Sequence, residues 1–300
     1  MSSVLVVGSI ALDDIEAPTG SATAVLGGAA CYFSVASSFF APVRAVGVAG
    51  SDFPQEHLDF LAAKGVDIQG IHRANGRTFR WGGRYHRSMN RRDTLFTELG
   101  VFENFDPKLP ESYRDSELVF LANIHPSLQL SVLEQARAPR FAAMDTMNFW
   151  IEGTPEELRK TLSRVNGLVI NDEEAQQMTG EPNLVLAAER IRELGPDTVV
   201  IKRGEHGALL FDSEGIFAAP AFPLREVRDP TGAGDSFAGG FMGALAGTDP
   251  VDPQALRRAV IYGSVLASFC VERFSLDRFH SLERAEIDAR FEEFRALTRF

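Results

Sequence analysis

The sequence predicts a single α/β domain in which a mostly parallel β-sheet carries helices on both faces. Short apolar segments alternate with segments of helical spacing over most of the second half, which is typical of parallel βαβ units. The length of 300 residues suits one large domain of this class, because a chain of this size buries a sizeable core. No internal repeat or low-complexity linker divides the sequence, so residues 1–300 are interpreted as one domain.

The first half begins with a buried strand. The run SVLVVGS is short, apolar and rich in valine, and it ends at a glycine and a serine. Paired glycines precede a helical pattern at 27–40, and a second buried strand follows at 43–50. The helical pattern at 51–65 ends at a glycine, as many helices do.

The second half supplies the regular alternation. Strands are predicted at 117–124, 140–145, 167–171, 198–202 and 207–212. Helices are predicted at 154–165, 183–195, 252–274 and 284–300, and a further helix should follow Asp235. Within that helix, Gly239, Gly240 and Gly243 are interpreted as close-packing positions.

One excursion interrupts this pattern near residues 75–98. The segment GRTFRWGGRYHRSMNRRDTLFTEL is polar, aromatic and rich in arginine, with partial alternation. It predicts exposed strands outside the main core. Residues 12–26 are a second candidate part of the same excursion.

Composition excludes several classes of partner. The formal net charge of −11 argues against nucleic acid or an anionic membrane as the main partner. Cys31 and Cys270 are far apart and lack zinc-site spacing, so no disulfide framework is predicted. The N-terminus has no basic region, and no apolar run approaches the roughly 20 residues of a membrane helix. The cytoplasm is the simplest compartment.

The stretch DPTGAGDSF at 229–237 carries the strongest chemical signal. Glycines at the start of a helix let an anion approach backbone N–H groups that have no partner. Asp235 in the same turn would repel an anion unless it takes a proton from an attacking hydroxyl. This combination suits phosphoryl transfer. The alternative is that Asp235 caps the helix and the glycines only permit tight packing.

Several stretches, in a fixed order, resemble the ribokinase-like, or PfkB, carbohydrate kinase family. DPTGAGDSFAGGF resembles the C-terminal signature of that family, and the similarity extends over most of the chain. The other stretches are VVGSIALD, the glycine pair at 27–28, GVAGSDF, NDEE at 171–174 and KRGEHG at 202–207. Each short motif is weak alone, whereas their order together with TGAGD is specific. The resemblance implies a ribokinase-like fold, a central, mostly parallel sheet with helices on both faces plus a small β lid.

The resemblance also implies an activity and its residues. The expected reaction transfers the γ-phosphoryl group of ATP to a hydroxymethyl group of a sugar or sugar-like substrate. The catalytic set would be Asp235 as the base with the N–H groups of Gly232, Ala233 and Gly234. Substrate contacts are expected from Asp13, Gly27, Gly28 and Asn123. ATP contacts are expected from Asn171, Lys202, Gly204, Gly207 and Thr231. Glu174 would hold Mg²⁺ through water. Asp229 matches a position that frames a monovalent cation in some members, so K⁺ is a further candidate.

Most of these residues also have a plainer interpretation. Asn171 and Glu174 have the spacing of a capping box. The glycines at 204 and 207 suit a simple turn between strands. Asp13 is compatible with a turn, and Asn123 with a strand-end cap.

The sequence departs from the family pattern at one substrate position. Members often have an asparagine four residues after the second glycine of the pair, where it contacts the sugar, and this chain has Tyr32. Pro230 also stands where threonine is common. Because Tyr32 replaces the asparagine, a plain ribose specificity is not expected. A nucleoside kinase is the alternative, and a non-catalytic sugar or nucleotide sensor is a third hypothesis, disfavoured by the intact Asp235.

The arginines of the excursion raise a question of substrate charge. They are Arg77, Arg80, Arg84, Arg87, Arg91 and Arg92, interleaved with Phe79, Trp81 and Tyr85. One hypothesis is that one or two of them, with Arg80 and Arg84 as the first to test, bind an anionic substrate. The alternative is that they are solvated or contact a second subunit, because alternation puts only half on the inner face. In the resembled family such a lid often joins two subunits, so a homodimer is also expected.

Overall fold

The structure is a computed structural model that describes residues 2–299. Its strands are β1 (Val4–Val7), β2 (Ala11–Ala17), β3 (Gly20–Gly27), β4 (Val43–Gly50), β5 (Val66–Ala74), β6 (Phe79–Tyr85), β7 (Arg92–Glu98), β8 (Leu118–Leu121), β9 (Phe141–Met144), β10 (Gly167–Asn171), β11 (Thr198–Lys202), β12 (Ala208–Asp212) and β13 (Gly215–Ala219). Its helices are α1 (Ala29–Ser38), α2 (Gln55–Ala63), α3 (Pro126–Gln135), α4 (Asn148–Gly153), α5 (Pro155–Leu162), α6 (Asp172–Thr179), α7 (Leu184–Arg192), α8 (Ala233–Leu245), α9 (Pro253–Cys270), α10 (Asp277–Ser281) and α11 (Arg284–Leu297).

The main sheet has nine strands in the order β13-β12-β11-β10-β9-β8-β1-β4-β5. Neighbours from β11 to β5 are parallel, whereas β12 and β13 are antiparallel. The predicted mostly parallel sheet is therefore confirmed. Its parallel strands end at one common edge, where ligands bind in open α/β sheets.

Burial on both faces explains why the strands are continuous apolar runs. In β1, Val4 and Val6 pack into a cluster with α1, α8 and α9, whereas Leu5 and Val7 pack into a cluster with α3, α5 and α7. All four side chains are fully buried. Each fully buried aliphatic side chain contributes roughly 1.5–3 kcal/mol by removal from water.

Glycines allow α8 to approach its neighbours closely. A Cβ on Gly239 would lie 2.3 Å from the Phe33 carbonyl oxygen of α1, and one on Gly240 would lie 2.9 Å from the Tyr262 carbonyl oxygen of α9. The packing interpretation of these glycines is confirmed. They let α8 pack closely between α1 and α9.

The second sheet has four strands in the order β3-β2-β6-β7. It contains both predicted parts of the excursion, because β2 and β6 are parallel partners. We call this sheet the lid. Its inner face is the face that carries Asp13, whose register partner on β6 is Trp81.

Several element boundaries differ by a few residues from the sequence prediction, and two of them concern the C-terminal helices. Helix α9 ends at Cys270 rather than near residue 274, because the following loop turns back with Ser275 at φ 53° to meet Asp229. Helix α11 ends at Leu297, and the predicted extension to residue 300 reaches beyond the described residues. Among the residues described, no helix has both the length and the apolar character to cross a membrane.

Candidate active site

The glycine-rich loop is the turn that leads into α8. Gly232 is the N-cap residue and lies in the left-handed region with φ 72°. A Cβ there would lie 2.2 Å from the Tyr32 ring, so the site accepts only glycine without rearrangement. The Ala233 N–H was predicted to be one of the donors to an anion. In the structure it donates instead to the Pro230 carbonyl at 3.1 Å. In the described chain the N–H groups of Gly232 and Gly234 have no such acceptor, so they are the donors left for an anion.

Asp235 lies in the first turn of α8, beside these donors. Burial of the carboxyl raises its pKa to about 6, and the charges of Lys202 and Arg92 partly offset this effect. Part of the residue remains accessible, as a group that meets a substrate requires. A carboxyl that ionises near neutral pH is suited to accept a proton from a hydroxyl.

Lys202 brings a positive charge to the same loop. It ends β11 and is the register partner of Asn171, which ends β10. The Lys202 Nζ lies only 2.8 Å from the position that a Cβ of Gly234 would take. The tertiary structure therefore places the ammonium group directly over the predicted anion loop.

Asn171 and Glu174 form a complete capping box at the start of α6. The Asn171 Oδ1 accepts from the Glu174 N–H at 2.7 Å, and the Glu174 Oε2 accepts from the Asn171 N–H at 3.0 Å. The structural alternative is therefore confirmed. Burial raises the pKa of Glu174, and the nearby charge of Lys202 lowers it.

Asp145 is a site residue that the sequence analysis did not single out. It directly follows β9, so it lies at the same sheet edge as Asn171 and Lys202. Its carboxyl is buried and its Oδ1 has no hydrogen-bond partner in the described structure. Burial raises the pKa of Asp145 well above its ordinary value, and the nearby Asp235 raises it further. Its position at the end of a predicted strand was the signal that could have found it.

Asp13 lies against the glycine pair. A Cβ on Gly27 would lie 2.1 Å from the Asp13 carboxylate, and a Cβ on Gly28 would lie 2.4 Å from the Ser9 carbonyl oxygen. The pair therefore makes room for the carboxyl and for the start of α1. Burial raises the pKa of Asp13 to about 8, and the charges of Asp229 and Asp235 contribute. Asp13 and Asp235 thus share one site although 222 positions separate them in the sequence.

Asp229 is a buried anchor of the glycine-rich loop. Its Oδ1 accepts from the Thr231 N–H at 2.8 Å and its Oδ2 accepts from the Ser275 N–H at 2.9 Å. Both oxygens are therefore used to fasten the glycine-rich loop to the segment after α9. A monovalent-cation site at Asp229 stays a prediction.

Asn123 also makes structural contacts. Its Oδ1 accepts from the Trp150 indole N–H at 2.8 Å, and its Nδ2 contacts the Met147 sulfur at 3.1 Å. The amide orients the loop between β9 and α4. The contact of Asn123 with substrate stays a prediction.

The predicted ATP turn follows β11. Gly204 and Gly207 both have positive φ, 52° and 84°. A Cβ on Gly207 would lie 2.0 Å from the Ala219 carbonyl oxygen, so the turn packs tightly on β13. The side chain of Asn90, from the lid hairpin, donates to Glu205 at 3.1 Å. The lid therefore contacts this turn directly.

Tyr32 replaces the expected asparagine with a buried ring. The ring underlies Gly232, and the hydroxyl has no partner in the described structure. Burial raises the pKa of Tyr32 well above its ordinary value, and Asp13 and Asp229 add to the effect. The residue supports the anion loop from below.

The lid arginines do not behave alike. Arg80 pairs with Asp14 at 2.8 Å, and Arg84 pairs with Glu16 at 2.6 Å, both within the lid. The hypothesis that these two bind an anionic substrate is therefore not supported by their contacts. Arg92 instead has no ion-pair partner among the described residues, and its charge lowers the pKa of Asp235.

Comparison with known proteins identifies the family. Residues 1–280 match the profile of the pfkB family carbohydrate kinases. A cytidine kinase from Thermococcus kodakarensis is 31% identical over 259 residues, which cover 84% of this chain and 91% of the relative. The chain belongs to the pfkB family.

Solved structures agree in fold. A nucleoside kinase from Burkholderia thailandensis, in complex with inosine, has a TM-score of 0.78 at 23% identity and covers 97% of each chain. A putative ribokinase II from E. coli, in complex with ATP and Mg²⁺, has a TM-score of 0.80 at 20% identity, covering 98% of this pfkB chain and 99% of the other. The ribokinase-like fold and an ATP-dependent sugar or nucleoside kinase are thereby confirmed.

Proposed function

We propose that this pfkB kinase transfers the γ-phosphoryl group of ATP to the hydroxymethyl group of a nucleoside. The observation that carries the proposal is that Asp13 and Asp235 share one buried site, next to a glycine loop with free N–H donors. The first carboxyl would bind acceptor hydroxyls, and the second would take the proton from the attacking hydroxyl.

The residues divide the work by position. Asp235 accepts the proton of the acceptor hydroxyl. The N–H groups of Gly232 and Gly234 stabilise negative charge on the transferred group, together with the Lys202 ammonium over the same loop. This preorganised charge is the main contribution that a protein makes to phosphoryl transfer.

Two carboxyls fit a role in Mg²⁺ binding. Asp145 has a buried Oδ1 without a partner, and Glu174 lies beside the same ammonium group of Lys202. Mg²⁺ takes few protein carboxylates and keeps several waters. When bound with ATP it would neutralise charge on the phosphates. Asp145 and Glu174 would hold it, the latter while continuing to cap α6.

A nucleoside is proposed over a free sugar for two reasons. The cytidine kinase is similar over 84% of this chain. Tyr32 also occupies the place of the sugar-contacting asparagine and its ring is fully committed beneath Gly232. The protein therefore cannot recognise the acceptor through an asparagine side chain at this position. The nucleobase of a nucleoside would offer additional groups for recognition.

The assembly and compartment are also proposals. A concave region lies on the lid beside Asp14 and Glu16, lined also by Leu95 and Phe96. Leu95 is 42% exposed, which suits contact with a second lid in a homodimer. Sedimentation of the purified protein as a monomer at micromolar concentration would contradict the proposed homodimer.

The use of ATP as the donor fits a cytoplasmic location.

An acceptor screen tests the function. Release of ADP from ATP with Mg²⁺ would be measured with cytidine, uridine, inosine, adenosine, ribose and a sugar acid, in wild type and in Asp235→Asn. We expect the highest kcat/KM for a nucleoside and loss of that activity in the variant. Preference for ribose or for the sugar acid would refute the proposed acceptor class.

A further inference from the structure

The lid carries one arginine on its inner face. Asp13 on β2 and Trp81 on β6 are register partners, and Tyr85 farther along β6 is the partner of Arg92 on β7. Side chains two residues apart on a strand share a face. Trp81, Tyr85 and Arg92 therefore lie on the side of the lid that covers Asp13.

One contact orients Arg92, and a second joins its strand partner Tyr85 to the anion loop. Its guanidinium lies over the Trp81 ring, 5.2 Å from the ring centroid. The Tyr85 hydroxyl beside it accepts a hydrogen bond from the Thr231 hydroxyl at 3.1 Å, in a buried position. Because Thr231 directly precedes Gly232, this bond joins the lid to the loop. Stacking on an aromatic ring orients a guanidinium before any ligand arrives.

The charge of Arg92 is not neutralised by a neighbour. Among the residues described, no carboxylate lies within ion-pair distance of it, whereas Arg80 and Arg84 are paired with Asp14 and Glu16. Its charge nevertheless reaches the site. Burial raises the pKa of Asp235, and Arg92 is one of the two cations that lower it. Arg92 is an exposed, unpaired cation whose charge acts on the carboxylates of the site, so it is placed to receive an anion.

We propose that Arg92 is a further catalytic residue that binds the γ-phosphoryl group during its transfer. The inference rests on the proposed function. In that step the acceptor oxygen gives its proton to Asp235 and forms the new bond to phosphorus. The bond from phosphorus to the β–γ bridging oxygen breaks, and ADP leaves with the electron pair. Arg92 donates N–H groups to the equatorial oxygens from the lid side, opposite Gly232 and Gly234.

The test compares nucleotides with and without a γ-phosphate. Binding of AMP-PNP and of ADP, each with Mg²⁺, would be measured by calorimetry in wild type, Arg92→Ala and Arg92→Lys, with Arg84→Ala as the matched lid control. We expect Arg92→Ala to weaken AMP-PNP binding by about 10- to 100-fold, the effect of one charge-assisted contact, while ADP binding changes by less than about twofold. Turnover should fall about 10²-fold or more. Arg84→Ala should match wild type in both.

The outcomes separate the two proposals. Equal losses for AMP-PNP and ADP would mean that Arg92 only shapes the lid, and unchanged AMP-PNP binding would also overturn the inference. If Arg92→Ala does not fold, AMP-PNP and ADP binding are compared in Arg92→Lys instead. Lysine keeps the positive charge but lacks the planar set of N–H donors of the guanidinium. A wild-type enzyme that phosphorylates no nucleoside refutes the proposed acceptor, and the nucleotide comparison still decides the role of Arg92.

Discussion

Substitution of Asp13 by Asn should stabilise the ligand-free enzyme at alkaline pH and abolish acceptor binding. Asp13 is 4% exposed. Burial, with the charges of Asp229 and Asp235, raises its pKa from 3.8 to about 8. Between these pH values the folded protein keeps a proton on Asp13 that the unfolded chain has released. The folded state then binds more protons, so the free energy of unfolding falls as the pH rises through this window.

The magnitude follows from the size of this shift. A pKa change from 3.8 to about 8, at about 1.4 kcal/mol per unit, corresponds to roughly 6 kcal/mol at full ionisation. Asn keeps the shape of Asp13 without the charge, so this penalty disappears in the variant. The stability gained by Asp13→Asn should therefore grow with pH, by on the order of 1 kcal/mol per unit between pH 5 and 8, and then level off.

Urea unfolding of wild type and Asp13→Asn at several pH values from about 5 to 9 measures this difference directly. Asp59→Asn, an exposed carboxyl on α2, is the control and should follow the wild-type pH dependence. The same samples should show that added nucleoside no longer raises the melting temperature of Asp13→Asn. Parallel pH dependences of wild type and Asp13→Asn would refute the assignment of a costly buried charge to this residue.

Three further substitutions test the rest of the site. Asp235→Asn should reduce turnover by about 10²-fold or more, while its affinity for ATP stays within a few-fold of wild type. In wild type, kcat/KM should fall as the pH drops below about 6, because protonation of Asp235 removes the base. Glu174→Gln should raise the Mg²⁺ concentration needed for half-maximal rate and leave the melting temperature unchanged, since Gln also completes a capping box. Gly232→Ala should destabilise the protein by about 2–4 kcal/mol, because a Cβ meets the Tyr32 ring and φ is positive.

Each of these has a contrary result. Near wild-type turnover in Asp235→Asn, or a flat pH profile, would remove Asp235 as the base. A lower melting temperature with unchanged Mg²⁺ dependence in Glu174→Gln would leave only the capping role. For Gly232→Ala the control is Gly247→Ala, where a Cβ meets no atom within 4 Å. Equal melting temperatures for both alanine variants would contradict the steric reasoning.

Local pattern was enough to determine the main elements of this protein. The strand β1 and the helix α8 follow from apolar runs and from glycines whose spacing is written in the sequence. The capping box of Asn171 and Glu174 depends on residues three positions apart, so it too could be predicted. The order of several short motifs was sufficient to predict the family.

The contacts between distant segments were decided only by the tertiary structure. The Ser275 N–H donates to the Asp229 carboxylate from 46 positions away, because the turn after α9 brings the two residues together. Asp145 became a site residue because β9 and β10 end at the same edge, a property of the sheet and not of either strand.

The lid shows most clearly which properties the sequence determines and which depend on the tertiary structure. The sequence by itself determined that arginines and aromatic residues alternate between 77 and 92. It did not determine which of them face the site, because a bulge between Gly82 and Gly83 shifts the pairing of β6 with β7. Only the assembled sheet pairs Arg80 with Asp14 on β2 and leaves Arg92 over Trp81. The physical reason is that charge pairing depends on distances across strands, which register and folding set, whereas composition and alternation act along the chain.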